Sequence, residues 1–153
     1  MPTHYQGPKN EVRALNAYIP LFRAVETLAS RSLARLEAAG ITPGQFAVLE
    51  ALLHLGPLCQ KELGRKLLRA GGNVTLVVDN LEKQGWVRRV RGREDRRFVA
   101  VHLTQEGKRL IERIFPEHAA AVCKEMSILT AAEQETLRRL CRKLGRSNHK
   151  ESK

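Results

Sequence analysis

Between Gly85 and Thr104 the hydrophobic pattern changes period, and this limits the architectures open to the chain. On either side, apolar residues recur every three or four positions, as along one face of a helix. Inside, residues 86–90 and 98–103 are β-branched or aromatic stretches with partial alternation, the pattern of strands. Arg91-Gly92-Arg93-Glu94-Asp95-Arg96-Arg97 separates them, so a two-stranded hairpin with a charged tip is expected. A mainly α chain with one small β-hairpin, an α+β arrangement, follows. At 153 residues the chain fits one or two compact units, and 42% apolar residues suffice for a core of ordinary size.

The helices can be read one by one. Val12, Leu15, Ile19, Phe22, Val25, Leu28 or Ala29, Ser32 or Leu33, and Leu36 form a stripe that ends at Gly40. Pro20 removes one backbone bond from it, so a kink or break is expected near Tyr18. Thr42-Pro43-Gly44-Gln45 combines a hydroxyl cap, proline at the first helical position and the glutamine of a capping box. The helix it opens buries Phe46, Leu49, Leu52 and Leu53 and stops at Gly56-Pro57. A short third helix over residues 60–68 turns Leu63, Leu67 and Leu68 inward, and Cys59, ahead of it, is a poor cap. The fourth runs from residue 72 or 73 to about 84 with Val74, Val77, Val78 and Leu81 on its apolar side. After the hairpin, Thr104 caps a fifth helix with a stripe of Leu110, Ile111, Ile114 and Phe115 and a kink expected at Pro116. Thr130-Ala131-Ala132-Glu133 opens a sixth, striped by Leu137, Leu140, Cys141 and Leu144. Residues 147–153 read as a frayed tail.

Charge supplies the functional signal. Lys and Arg number 27 against 16 acidic residues, a net +11 that favours a polyanionic partner. Lys83, Arg88, Arg89, Arg91, Arg93, Arg96 and Arg97 against Glu94 and Asp95 leave a local excess of five around the hairpin. The preceding helix leaves Asn73, Thr75, Leu76, Asp79, Asn80 and Lys83 on its other side, a face able to read chemistry. A readable helix followed by a basic hairpin is the layout of a winged helix-turn-helix on double-stranded DNA. Backbone donors at Gly72 and the Asn73 and Thr75 side chains would enter the major groove, where an amide pairs with adenine. Lys61, Arg65 and Arg69 would reach phosphates, and Arg93 or Arg96 the minor groove.

Other chemistry finds less support. His4, His54, His102, His118 and His149 are scattered, and no nucleophile with its base, paired carboxylates or metal-ligand spacing is present, so neither an enzyme nor a cofactor is expected. Cys59, Cys123 and Cys141 are far apart and read as reduced thiols, with Cys123 a small core residue and Cys141 buried on its stripe. No membrane span or secretory signal is legible, which leads to a cytoplasmic expectation.

The succession Gly40-Ile41-Thr42-Pro43-Gly44-Gln45-Phe46-Ala47-Val48-Leu49, Gln60-Lys61-Glu62-Leu63, Gly72-Asn73-Val74-Thr75, Val78-Asp79-Asn80-Leu81-Glu82-Lys83-Gln84-Gly85-Trp86-Val87, Asp95-Arg96-Arg97 and Leu103-Thr104-Gln105-Glu106-Gly107 resembles the MarR family of bacterial transcriptional regulators. The resemblance implies a homodimer joined through residues 1–40 and 104–146, with residues 41–103 as the DNA-binding lobe. It further implies a repressor on a pseudo-palindromic operator, released by a small phenolic or aromatic ligand in a cleft lined by Tyr18, Phe22, Phe46, Phe115 and His118. The alternatives are a thiol-based redox regulator and a non-specific architectural nucleic-acid-binding protein. Many relatives carry two Asp-x-Arg pairs at the wing tip. Here the first is Gly92-Arg93-Glu94, and Asp95-Arg96-Arg97 keeps the second.

Overall fold

A computed structural model describes residues 3–67, 71–92 and 99–146, with backbone alone at residues 71–73 and 146. In chain order the elements are α1 (Lys9–Ala38), α2 (Pro43–Leu55), β1 (Leu58–Cys59), α3 (Gln60–Leu67), α4 (Gly71–Lys83), β2 (Val87–Arg91), β3 (Val99–Leu103), α5 (Gln105–Met126) and α6 (Ala131–Arg146). The chain divides into two compact units, Met1–Pro116 and Glu117–Lys153.

The first unit holds the core. Phe46, Val48, Leu49 and Leu52 of α2, Leu63 of α3, and Val74, Val78 and Leu81 of α4 are buried together with Val87, Val101, Ile111 and Ile114. Leu36, near the end of α1, and Ile41 close one side of it. Complete burial of each leucine or isoleucine contributes about 1.5–3 kcal/mol, so this cluster holds the unit together. The helix ends are cut as the sequence indicates. Thr42 accepts the Gln45 N–H at 3.2 Å while the Gln45 side chain accepts the Thr42 N–H at 2.9 Å, completing the capping box. The Gln45 amide also donates to Gln84 at 3.1 Å, which fastens the start of α2 to the end of α4. Gly85, at φ 73°, takes the left-handed conformation that lets Trp86 N–H reach back to Leu81 O at 3.0 Å.

The sheet is antiparallel in the order β1-β3-β2, with Arg89 opposite Val101 and Leu58 opposite Val101 on the other side. β1 was not expected, since two residues are too short to show a period. Its pairing places Cys59 at the head of α3, where Glu62 compensates for the weak cap by accepting the Cys59 N–H at 2.8 Å.

Two further expectations need correction, the break near Pro20 and the burial of Cys123 and Cys141. α1 starts at Lys9 and passes Pro20 as one helix, and α5 likewise passes Pro116. Pro20 and the residues one turn before it are exposed, so water can take up the carbonyl that proline leaves without a donor. Cys123 and Cys141 are exposed, because none of the described residues of the second unit is buried. Leu137, Leu140 and Leu144 of α6 are exposed with them. In that unit Thr130 and Glu133 cap α6, and Gln134 ties back to the carbonyls of Met126 and Leu129, each at 3.1 Å. Residues 147–153, read as a tail, lie outside the described residues.

The entry to α5 is closely packed. Thr104 donates its hydroxyl to Gly85 O at 2.6 Å and its N–H to Trp86 O at 3.1 Å, and accepts the Gly107 N–H at 3.0 Å. A Cβ on Gly107 would overlap the Trp86 carbonyl. Gly107→Ala is therefore expected to destabilise the protein by about 1–3 kcal/mol, the usual range for overpacking. Urea unfolding followed by circular dichroism measures this, and an unchanged midpoint would show that the junction yields without cost.

Candidate nucleic-acid interface

α4 is laid down by its apolar side. Val74, Val78 and Leu81 point into the core, so Thr75, Leu76, Asn80 and Lys83 emerge on the opposite side, all exposed. Leu76 keeps 61% of its surface open, unusual for a leucine on a helix with a full apolar face. Lys61 and Arg65 are exposed on α3, and Arg88 and Arg91 on β2. Gly72 and Asn73 fall in the first turn of α4, where only the backbone is described. Arg93, Asp95, Arg96 and Arg97 at the hairpin tip, and Arg69 before α4, lie outside the described residues.

Arg89 differs from the other basic residues around the hairpin. Its guanidinium donates to Asp79 Oδ1 and Glu82 Oε2, both at 2.6 Å, and to Gln60 Oε1 at 3.0 Å. Burial opposes its charge, but its hydrogen bonds to Asp79 and Glu82 and their negative charges outweigh that and raise its pKa above the ordinary arginine value. Two carboxylates thus neutralise a cation that sequence counting assigns to the hairpin's excess. Asp79, expected on the readable face, is drawn into the same group, and Gln60 donates on to Thr75 Oγ1 at 2.9 Å. The signal available in sequence was a pair of acids three residues apart on α4 and an arginine on the following strand.

The residues expected to line a ligand cleft separate into different environments. Phe46 is only 6% exposed, within the core, so it has no face to offer a ligand. Phe115 is half-buried, with its ring edge-on to His54 at 4.7 Å between centroids. Tyr18 and Phe22 stack at 6.0 Å on α1 and are largely exposed. His118 is half-buried in the second unit. A separate open depression of about 480 Å³ in the first unit is lined by Trp86, Glu106, Arg109, Leu110 and Arg113. Among the described residues no three of His, Cys, Asp and Glu converge as a metal ion requires, and no helix is long and apolar enough to cross a membrane.

A helix anchored by one face and open on the other, beside a basic hairpin, defines a winged helix-turn-helix DNA-binding protein. Residues 41–99 match the model of the MarR family. The chain is similar to the HTH-type transcriptional regulator YkoM of Bacillus subtilis (strain 168), 37% identical over 133 residues that cover 87% of this chain and 86% of the relative. It belongs to the MarR family of transcriptional regulators. It is also 33% identical to the HTH-type transcriptional regulator MhqR of the same strain, over 87% of this chain and 92% of that one. Among solved structures it is similar to NadR in complex with 4-hydroxyphenylacetate, with 27% identity, a TM-score of 0.73, and coverage of 94% of this chain and 97% of that one.

The half capping box at α3 makes stability depend on pH. The Cys59 backbone N–H, followed by its thiol, holds the Glu62 carboxyl below its ordinary value near 4.5. A carboxylate lowered in the folded state contributes stability that is fully present above the unfolded value and lost as pH falls through the folded one. Glu62→Gln should therefore flatten the decline in urea midpoint below about pH 4.5. Parallel pH profiles for parent and variant would remove Glu62 from the acid response.

Proposed function

We propose that the protein is a homodimeric repressor that places one winged lobe, residues 41–103, on each half of a pseudo-palindromic operator and is released by a small aromatic ligand. The observation that carries this reading is α4 itself, with Thr75, Leu76, Asn80 and Lys83 exposed opposite a fully buried side. In this reading Gly72 and Asn73, at its start, meet base edges, and Lys61 and Arg65 meet phosphates. Arg93 or Arg96 enters the minor groove, with Asp95 and Arg97 beside them on the wing.

Dimerisation is supported by apolar surface that a lone chain leaves wet. Tyr18, Phe22, Val25 and Leu33 on α1, and Leu137, Leu140 and Leu144 on α6, are each at least 36% exposed. Contiguous apolar stripes of this kind mark association surfaces. The ligand class is taken from NadR, whose structure holds 4-hydroxyphenylacetate. The Tyr18–Phe22 pair offers aromatic surface for such a molecule. Exposure of Cys123 and Cys141 favours a second reading, a thiol-responsive regulator, in which mild oxidation rather than a ligand abolishes binding.

Selection of duplexes from a random pool, with and without 4-hydroxyphenylacetate, tests the whole reading. Lys61→Ala and Arg65→Ala are each expected to weaken all duplexes alike and to reduce the salt slope by about one. Asn73→Ala should relax preference at one base pair by roughly 1–3 kcal/mol, and Arg93→Ala or Arg96→Ala should weaken binding with the dimer intact. A monomer in sedimentation, or a parent chain that enriches no sequence, would sink the proposal.

A further inference from the structure

Three elements of the winged lobe meet at one polar group. Arg89, on β2, is clamped by Asp79 and Glu82 of α4, and Glu82 Oε1 accepts the Arg89 backbone N–H at 2.9 Å. The strand's main chain and side chain are therefore fixed to the same helix. The remaining guanidinium donor used in this group, Nε, goes to Gln60 Oε1 at 3.0 Å, at the first residue of α3. With its oxygen engaged in this way, the Gln60 amide must present its NH₂ outward, and Nε2 donates to Thr75 Oγ1 at 2.9 Å.

From this relay we infer that Gln60 is a specificity-determining positioning residue, which holds the Thr75 hydroxyl in one orientation on the reading face of α4. The inference rests on α4 being the helix that reads bases. A helical threonine divides between two side-chain rotamers, and a fixed donor beside it selects one. A half-buried glutamine would ordinarily lose rotamer freedom in doing this, but Arg89, its planar fork seated between two carboxylates, has already ordered it. The base pair facing Thr75 is then met by a hydroxyl and a methyl group held in fixed positions. Arg89, neutralised within the protein, supports this readout without contacting phosphate.

The test uses the full chain and duplexes selected by the parent protein, each compared with its single-base-pair variants over a range of salt. Q60A is expected to reduce discrimination at one position by about five-fold, the scale of a single hydrogen bond, with the salt slope unchanged. Q60E keeps an oxygen for Arg89 but has no N–H for Thr75, and it should show the same loss at the same position. Neither change should add to the loss in T75V, and R89K should keep the parent's salt slope while losing discrimination. A uniform loss across duplexes, additive losses in the Q60A/T75V double variant, or full discrimination in Q60E would overturn the assignment. A parent chain that selects no duplex would overturn the reading of α4 instead, an outcome distinct from any of these.

Discussion

Burial of Val74, Val78 and Leu81 decides what the fourth helix can offer a partner. An α-helix turns 100° per residue, so a shift of one position would bring Thr75 into the core and strip a hydroxyl of its surroundings. The cost of that error keeps Thr75, Leu76, Asn80 and Lys83 facing outward. The neighbouring elements are held by the same logic. Gln45 reaches from the start of α2 to Gln84 at the end of α4, and Thr104 ties the start of α5 to the turn between α4 and β2. Apolar packing sets the rotation of the helix, and polar ties set where its ends lie.

Charge in the lobe has two uses that composition cannot separate. Lys61, Arg65, Arg88 and Arg91 stand in solvent, where they contribute to attraction of a polyanion. Arg89 has the same formal charge and sits in the same stretch, yet its field is largely cancelled at 2.6 Å by Asp79 and Glu82. A count of basic residues near the hairpin therefore overstates the positive potential there.

Much of this architecture is legible in sequence because it depends on local rules. Thr42-Pro43-Gly44-Gln45 announces a helix start through capping, and Gly85 a stop through its left-handed backbone, so α2 and the end of α4 fall where expected. The stripes of α2 and α4 give their buried faces for the same reason. β1 was not legible, since Leu58 and Cys59 become a strand only by pairing with Val101 and Ala100 far along the chain. The Arg89 group is likewise non-local, joining positions 29 residues apart through Gln60. Cys141 shows the opposite failure. Its stripe marks an apolar face of α6, but periodicity reports which face is apolar and not whether anything covers it. Phe46 and Phe22 look alike as aromatic residues on amphipathic helices, yet one is sealed in the core and the other lies open.

The chain has one tryptophan, and Trp86 stands where α4, β2 and α5 converge. Its carbonyl receives the Thr104 N–H and lies against Gly107, while its ring is half-buried beside Leu110. Any change in how the root of the wing seats on the following helix must alter the indole's surroundings. Its intrinsic emission is thus a native optical gauge of that joint, and one that needs no attached dye.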